Sequence, residues 1–233
     1  MKRDKQVLEF IQKELNMGKV IVQGKTTSRF IIQDKLGLYL IALIFNGNIR
    51  TPDKLNSFNE FLNILNKNTK KISRRIHKFG MNNEIFKEIK PHNEVRNFSL
   101  SDSWLAGFVD AEGCFYASFS KIGNRFKIGF DIAQKGEANK NKILDKLVLL
   151  FEGGKVYKHY YPNNWNYRIE GLVKTESLVS YFDNKKYSLF TKKAVSYLIW
   201  KQIRNSVINK EHLDQINKLK LISLCKTVNK YPD

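Results

Sequence analysis

The sequence predicts an α/β chain made of two related halves, with helices and antiparallel strand pairs in alternation. Three observations predict it. Stretches of period-two hydrophobicity alternate with stretches of helical spacing. The order helix, strand pair, helix occurs twice, and Gly18-Lys19-Val20 lines up with Gly154-Lys155-Val156 at an offset of 136 residues (154 minus 18). Hydrophobic residues make up 42% of the 233, enough to fill a core and too many for a disordered chain.

The first half opens on a predicted helix over 5–16, where Val7, Leu8, Ile11 and Leu15 recur at helical spacing and Gly18 follows as a stop. Residues 19–23 and 28–33 read as a β-hairpin. An apolar helix is expected over 36–45, then a turn at Asn46-Gly47-Asn48. Pro52 suits the first turn of the next helix, which Phe58, Phe61, Leu62 and Leu65 continue. Residues 69–99 are rich in Lys, Arg and Asn, contain Pro91 and show little periodicity, so they read as a basic linker. Its cluster Lys70, Lys71, Arg74, Arg75, His77 and Lys78 suits either a solvated linker or phosphate contacts, which counterion release rewards.

The second half starts with WLAGFVDAEGCF, residues 104–115, behind three helix-capping residues, Ser101, Asp102 and Ser103. A short apolar helix is expected, ending at Gly113. Glycine inside a helix costs about 1 kcal/mol relative to alanine, so Gly107 calls for a reason. Close approach supplies one: Gly107 and Ala111 are i, i+4 neighbours, and a face without side chains admits another helix backbone. Asp110 and Glu112 sit at the C-terminal end, where the helix dipole disfavours negative charge unless a cation is near.

These residues closely resemble the LAGLIDADG homing endonuclease family. LAGFVDAEG, residues 105–113, matches the family motif along its length and sets Glu112 at the position of the catalytic acid. The likeness extends to FDIAQ at 130–134 and LFTKK at 189–193. It implies a homing-endonuclease-like α/β fold: two pseudo-symmetric αββαββα-type halves with curved antiparallel DNA-binding sheets. It also implies paired motif helices, meeting through Ala106, Gly107 and Ala111, that each offer one acid to a divalent metal.

Behind the motif, Phe115, Ala117 and Phe119 alternate with Tyr116, Ser118 and Ser120. Phe126, Ile128, Phe130 and Ile132 alternate with Arg125, Lys127, Gly129 and Asp131. Such strands are half-buried, with one core face and one polar face. A helix is expected over 141–152, strands over 155–161 and 165–170, a helix over 173–182 and a long helix from 191 to 204. From about residue 210 a last helix should cover the core through Leu213, Ile216, Leu219 and Ile222. Cys225 reads as a small buried side chain, and His159 and His212 as structural or surface residues.

At the 136-residue offset the counterpart of 100–136 falls before Met1. The first half, 1–68, is therefore expected to lack its motif helix and first hairpin, with 69–99 as linker and 100–233 as a complete second half. LIALIFNGN at 40–48 is no substitute motif: it aligns with a different helix and offers no acid.

A formal net charge of +19 points to a polyanionic partner. No run of eighteen apolar residues is present, so neither a spanning helix nor a membrane role is expected. Two cysteines make no disulfide framework, and no Cys/His cluster suggests zinc.

By resemblance, Glu112 is the catalytic and metal-binding acid, Gln134 orients water, and Lys193 (or Lys192) lies near the scissile phosphate. Lys54 is the weaker first-half counterpart. Asp110 cannot readily share an ion with Glu112, since two helical steps turn about 200°; a packing or capping role is expected. Candidate nucleic-acid contacts are Tyr116, Ser118, Ser120, Arg125, Lys127 and Asp131, with Asn166, Arg168, Lys155 and Tyr157 weaker. A hairpin ribbon fits the major groove, where each base pair shows a distinct pattern. The expected cofactor is Mg²⁺ or another divalent cation, because hard cations prefer carboxylate, phosphate and water oxygens. The expected function is site-specific, intron-encoded cleavage of double-stranded DNA. The alternatives are a group I intron maturase with host intron RNA as partner, or an inactive nucleic-acid-binding remnant. A second copy or an upstream segment would supply the missing motif helix. Abundant Lys, Asn, Ile and Phe suit an AT-rich organellar genome, hence a mitochondrion or other organelle.

Overall fold

Alternation along the strands behind the motif sets the principal sheet. In the computed structural model, which describes residues 4–25, 27–77, 86–120 and 122–230 (69–77 as helical backbone), the chain divides into two units, Met1–Asn97 and Phe98–Asp233. Lys78 of the basic cluster lies outside the described residues, as do the side chains of Lys70, Lys71, Arg74, Arg75 and His77.

The second unit runs α4 (Trp104–Glu112), β3 (Gly113–Phe119), β4 (Phe126–Lys135), α5, β5 (Lys155–Lys158), β6 (Asn164–Glu170), α6 (Glu176–Phe182), α7 (Lys193–Ile208) and α8 (Gln215–Cys225). Helix α5 passes through Glu137–Asn139, a π-helical turn Lys140–Leu144, and Asp145–Leu150. The strands form one antiparallel sheet in the order β3-β4-β6-β5. Its inner face presents Phe115, Ile128, Phe130, Ile132, Tyr167 and Ile169, all buried. Helices α4 to α7 cover that face through Leu105, Val109, Leu144, Leu147, Leu178, Tyr197 and Trp200. Phe115 is the hub: its ring centroid lies 4.9 Å from Phe130, 5.3 Å from Tyr197, 5.4 Å from Trp200 and 5.7 Å from Phe182. Buried Arg204 ties α7 to the turn before α6, donating to Leu172 O at 2.7 Å and Thr175 Oγ1 at 3.1 Å and pairing with Glu176.

The first unit comprises α1 (Lys5–Leu15), the hairpin β1 (Lys19–Gln23) and β2 (Thr27–Ile31), α2 (Lys35–Phe45) and α3 (Pro52–His77). Its core joins Tyr39, Ala42, Phe58, Leu62, Leu65 and Ile89. Two expectations change here. Helix α3 continues to His77, well into the stretch read as linker. Ile89, also in that stretch, is pinned to α3: its N–H donates to Asn66 Oδ1 at 3.1 Å, and Asn66 Nδ2 donates to Ile89 O at 2.9 Å.

The helix–hairpin–helix–helix order of the first unit matches α5, β5, β6, α6 and α7 of the second, in the register read from the sequence. Among the described residues β2 has β1 as its one neighbour, whereas β6 is flanked by β5 and β4. Leu43 and Phe45 on α2 are each 48% exposed, while their counterparts Val179 and Tyr181 on α6 are 7% and 4% exposed.

The C-terminal helix corrects the predicted face. On the helix Ile216 and Leu219 are exposed and Lys218 and Leu221 turn inward, while the 3-10 turn Glu211–Leu213 before it exposes Leu213 and buries His212. A spacing of three drifts by about 60° per step on a helix of 3.6 residues per turn, so those leucines and isoleucines never formed one stripe. Cys225 is half-buried, and burial pushes its thiol up to about 11.

Candidate active site and nucleic-acid interface

Helix α4 starts where Asp102 accepts the Trp104 N–H at 3.0 Å, satisfying a donor that the helix itself leaves free, and its other oxygen accepts the Ser99 N–H of the preceding loop at 3.2 Å. Ser101 and Ser103 do not serve as side-chain caps: Ser101 Oγ meets Ser99 Oγ, and Ser103 makes no capping bond. Leu105, Ala106 and Val109 face the core. Gly107 and Ala111 are exposed, and a Cβ at Gly107 would meet nothing within 4 Å. Ala106 therefore sits on the core face, about 100° around the helix from Gly107, rather than on the open face expected for all three. Gly113 ends the helix in an extended conformation, with φ −72° and ψ 154°. Its missing side chain serves close approach, since a Cβ there would fall 2.7 Å from Val109 Cγ1 and 2.9 Å from Phe130 Cε2.

The two acids have separate jobs. Asp110 accepts the Thr191 hydroxyl at 2.6 Å, the Phe190 N–H at 2.7 Å and the Thr191 N–H at 3.1 Å. It fastens the segment leading into α7, the capping role expected of it. Glu112 is exposed, with neither an ion pair nor a hydrogen bond among the described residues. The cation that the helix C-terminus calls for is Lys193, whose Nζ donates to Asp110 O at 3.0 Å and Ala111 O at 3.1 Å. Of the two lysines of LFTKK, Lys193 is thus the one fixed at the motif. Gln134 lies on β4 two residues beyond Ile132, the partner of Gly113, so the register brings it to the same end of the sheet. Its side chain donates to Ala133 O at 2.8 Å. Lys54 is an exposed residue in the first turn of α3. Asp110→Ala leaves three donors without their acceptor; it is expected to cost about 1–3 kcal/mol, read as a lowered denaturation midpoint of the second unit.

The outer face of the sheet carries the other candidates. Tyr116, Ser118, Lys127, Asp131, Asn166 and Arg168 all alternate with core residues and so point away from it. Three of them form one network. Arg168 donates to both Asp131 oxygens, Nε at 2.8 Å and Nη2 at 2.7 Å, and its guanidinium lies 5.7 Å from the Tyr116 ring centroid. Tyr116 donates to Glu170 at 2.7 Å. Burial, then the Glu170 hydrogen bond, hold the Tyr116 phenol well above its ordinary range; the Asp131 hydrogen bond likewise raises Arg168. Gly129 makes room for the network, because a Cβ there would lie 2.5 Å from the Tyr116 hydroxyl. Glu170 is absent from the candidates read from the sequence, although alternation along β6 sets it beside Arg168 on the polar face. Ser120 does not join that face. Its hydroxyl donates to Ile122 O at 2.7 Å and accepts the Ile122 N–H at 3.3 Å, closing the β3–β4 turn. Arg125 is exposed at the end of that turn and Lys127 follows on β4.

The LAGLIDADG endonuclease family model matches residues 105–204. Probable intron-encoded endonuclease 4 of Neurospora crassa is 31% identical over 97% of this chain, which covers 38% of that protein. A cox1 intron-2 37.2 kDa protein of Schizosaccharomyces pombe is 27% identical over 91% of this chain and 60% of its own length. This chain thus spans less than two thirds of either relative. Among solved structures, I-SmaMI bound to an uncleaved DNA target in the presence of calcium ions superposes with a TM-score of 0.79, at 21% identity, over 99% of this chain and 86% of that one. The LAGLIDADG homing endonuclease I-GzeII in complex with its DNA target gives a TM-score of 0.80 at 19% identity, over 99% and 86%. At such identities the likeness is one of fold. The motif-bearing second unit belongs to the LAGLIDADG endonuclease family, and the chain has the fold of LAGLIDADG homing endonucleases.

Proposed function

We propose that this chain acts in site-specific, divalent-metal-dependent cleavage of double-stranded DNA, from a gene carried in an organellar intron. The observation that carries the reading is the unpartnered Glu112 carboxylate, presented at the end of a motif helix and the base of a polar sheet face. The +19 charge supports a polyanionic partner. Solved proteins of this fold hold DNA targets, and two relatives are named for introns.

Among the described residues no three His, Cys, Asp or Glu side chains gather as a metal cluster. One free carboxylate fits a hard cation that keeps most of its water and takes phosphate oxygens from the substrate, which is the habit of Mg²⁺. Glu112 would hold that ion, and the ion would supply charge stabilisation at the attacking and leaving oxygens. The other residues act around it. Lys193 neutralises the helix terminus, Asp110 fixes the segment that carries Lys193, and Gln134 offers an amide at the same end of the sheet.

A second motif helix belongs to this reading, brought by an upstream segment or a second copy. The bare Gly107/Ala111 face supports it, as do the edge of β2, unpaired among the described residues, and the exposed side chains of Leu43 and Phe45, whose counterparts are covered in the second unit.

Binding tests the reading. If six or more phosphates are neutralised, duplex affinity falls by about 10³ or more between roughly 50 and 200 mM salt. Titration of labelled duplex across that range measures the slope, and a flat dependence overturns the phosphate-contact reading. Host intron RNA is the comparison ligand. Tight RNA binding with rescue of splicing, and no preference among DNA sequences, replaces the endonuclease by the maturase.

A further inference from the structure

Lys218 is 6% exposed, yet it belongs to a helix whose apolar neighbours Ile216 and Leu219 face outward. Lysine is rarely buried without a partner, and this one has a specific target: Nζ donates to Gly123 O at 2.5 Å. Gly123 lies in the β3–β4 turn with φ +71°. Beside that contact, the buried His212 ring packs 5.4 Å from Phe126 and 6.2 Å from Phe119, the residues that flank the turn. At the other end of β3, Asn229 Nδ2 donates to Phe115 O at 2.7 Å. The C-terminal segment thus holds β3 at both ends. An open cavity of about 550 Å³ lies against the turn, lined by Asn124, Arg125 and Lys127 among others.

We propose that Lys218 is a positioning residue for sequence readout: it sets the β3–β4 turn, and with it Arg125 and Lys127, against the base pairs furthest from Glu112. The inference rests on the DNA-binding reading. The strand register supports the assignment, because the turn joins Phe119 to Phe126 at the end of the hairpin opposite Gly113 and Ile132. A carbonyl held by an ammonium fixes the turn without occupying any side chain on the polar face. Arginine readout of a base edge is bidentate and tolerates little displacement.

The test selects the full chain, and variants of it, on a randomised duplex library. Lys218→Met removes the donor, and Lys218→Arg keeps one. Gly123→Ala disturbs the carbonyl from the other side; nothing lies within 4 Å of a Cβ there, so only the backbone conformation is strained. Lys218→Met and Gly123→Ala are each expected to lower base discrimination about tenfold at the outer positions. Non-specific affinity and the salt slope should stay unchanged, and Lys218→Arg should retain most of the discrimination. Wild-type preferences persisting in both variants overturn this inference alone. An even loss at every position, in step with a lowered melting midpoint, overturns it too by making Lys218 a plain packing residue. If Lys218→Met fails to fold, Gly123→Ala decides. A wild-type chain without preference at any position overturns the DNA reading itself, and this inference with it.

Discussion

Glu112→Gln is expected to reduce DNA cleavage by at least about 10²–10³, the scale on which loss of one preorganised charge-stabilising group acts. The side chain is exposed and among the described residues makes no bond that the amide would break, so fold and binding should persist. Supercoiled plasmid carrying the intron-less host site, with Mg²⁺ or with EDTA, reads the result. The chain by itself should at most nick one strand, because among the described residues a single motif helix presents a single free acid. Linear product from a monomer, lost in Glu112→Gln, would show that another acid completes the site. Nicking that survives the substitution removes Glu112 from its role. Binding without cleavage leaves the maturase and remnant readings to the splicing assay.

Phe115→Ala should cost about 3–5 kcal/mol, the range for deleting a fully buried aromatic ring. Among the described residues of the second unit, no other side chain touches β4, α6 and α7 through so many rings. The void would open between sheet and helices, where close-packed neighbours collapse only in part. Urea denaturation of the second unit measures the change, with Val173→Ala as the control. Val173 is 88% exposed, and its truncation should stay within about 0.5 kcal/mol. Equal effects from the two variants would show that the sheet does not seat Phe115 as described.

The polar network on the sheet bears on the proposed DNA readout. Arg168 is already bidentate to Asp131, and Tyr116 is spent on Glu170. These residues form a rigid patch, and their remaining donors are limited. Arg125 and Lys127 lie outside that network at the turn, so in the proposed DNA-binding reading adaptable readout is assigned to them.

Much of this was legible in the residues themselves. Period-two alternation placed Phe115, Ile128, Phe130 and Ile132 inside and Tyr116, Lys127 and Asp131 outside, because each strand residue flips face whatever it pairs with. The motif placed Glu112 and separated it from Asp110, since helical rotation is local geometry. The 136-residue repeat aligned β1 and β2 with β5 and β6, and α2 with α6. Tertiary structure decided the rest, because those outcomes depend on partners far away in sequence. Asp110 found Phe190 and Thr191 eighty residues on, and Lys193 reached back to close the motif helix. The last helix shows the difference most plainly. Its apolar residues suggested one face, yet the surface that met it held a turn carbonyl and two phenylalanine rings. On the helix the side chains that went inside were therefore Lys218, long enough to reach Gly123 O, and Leu221, while His212 in the turn just before it packs on Phe126.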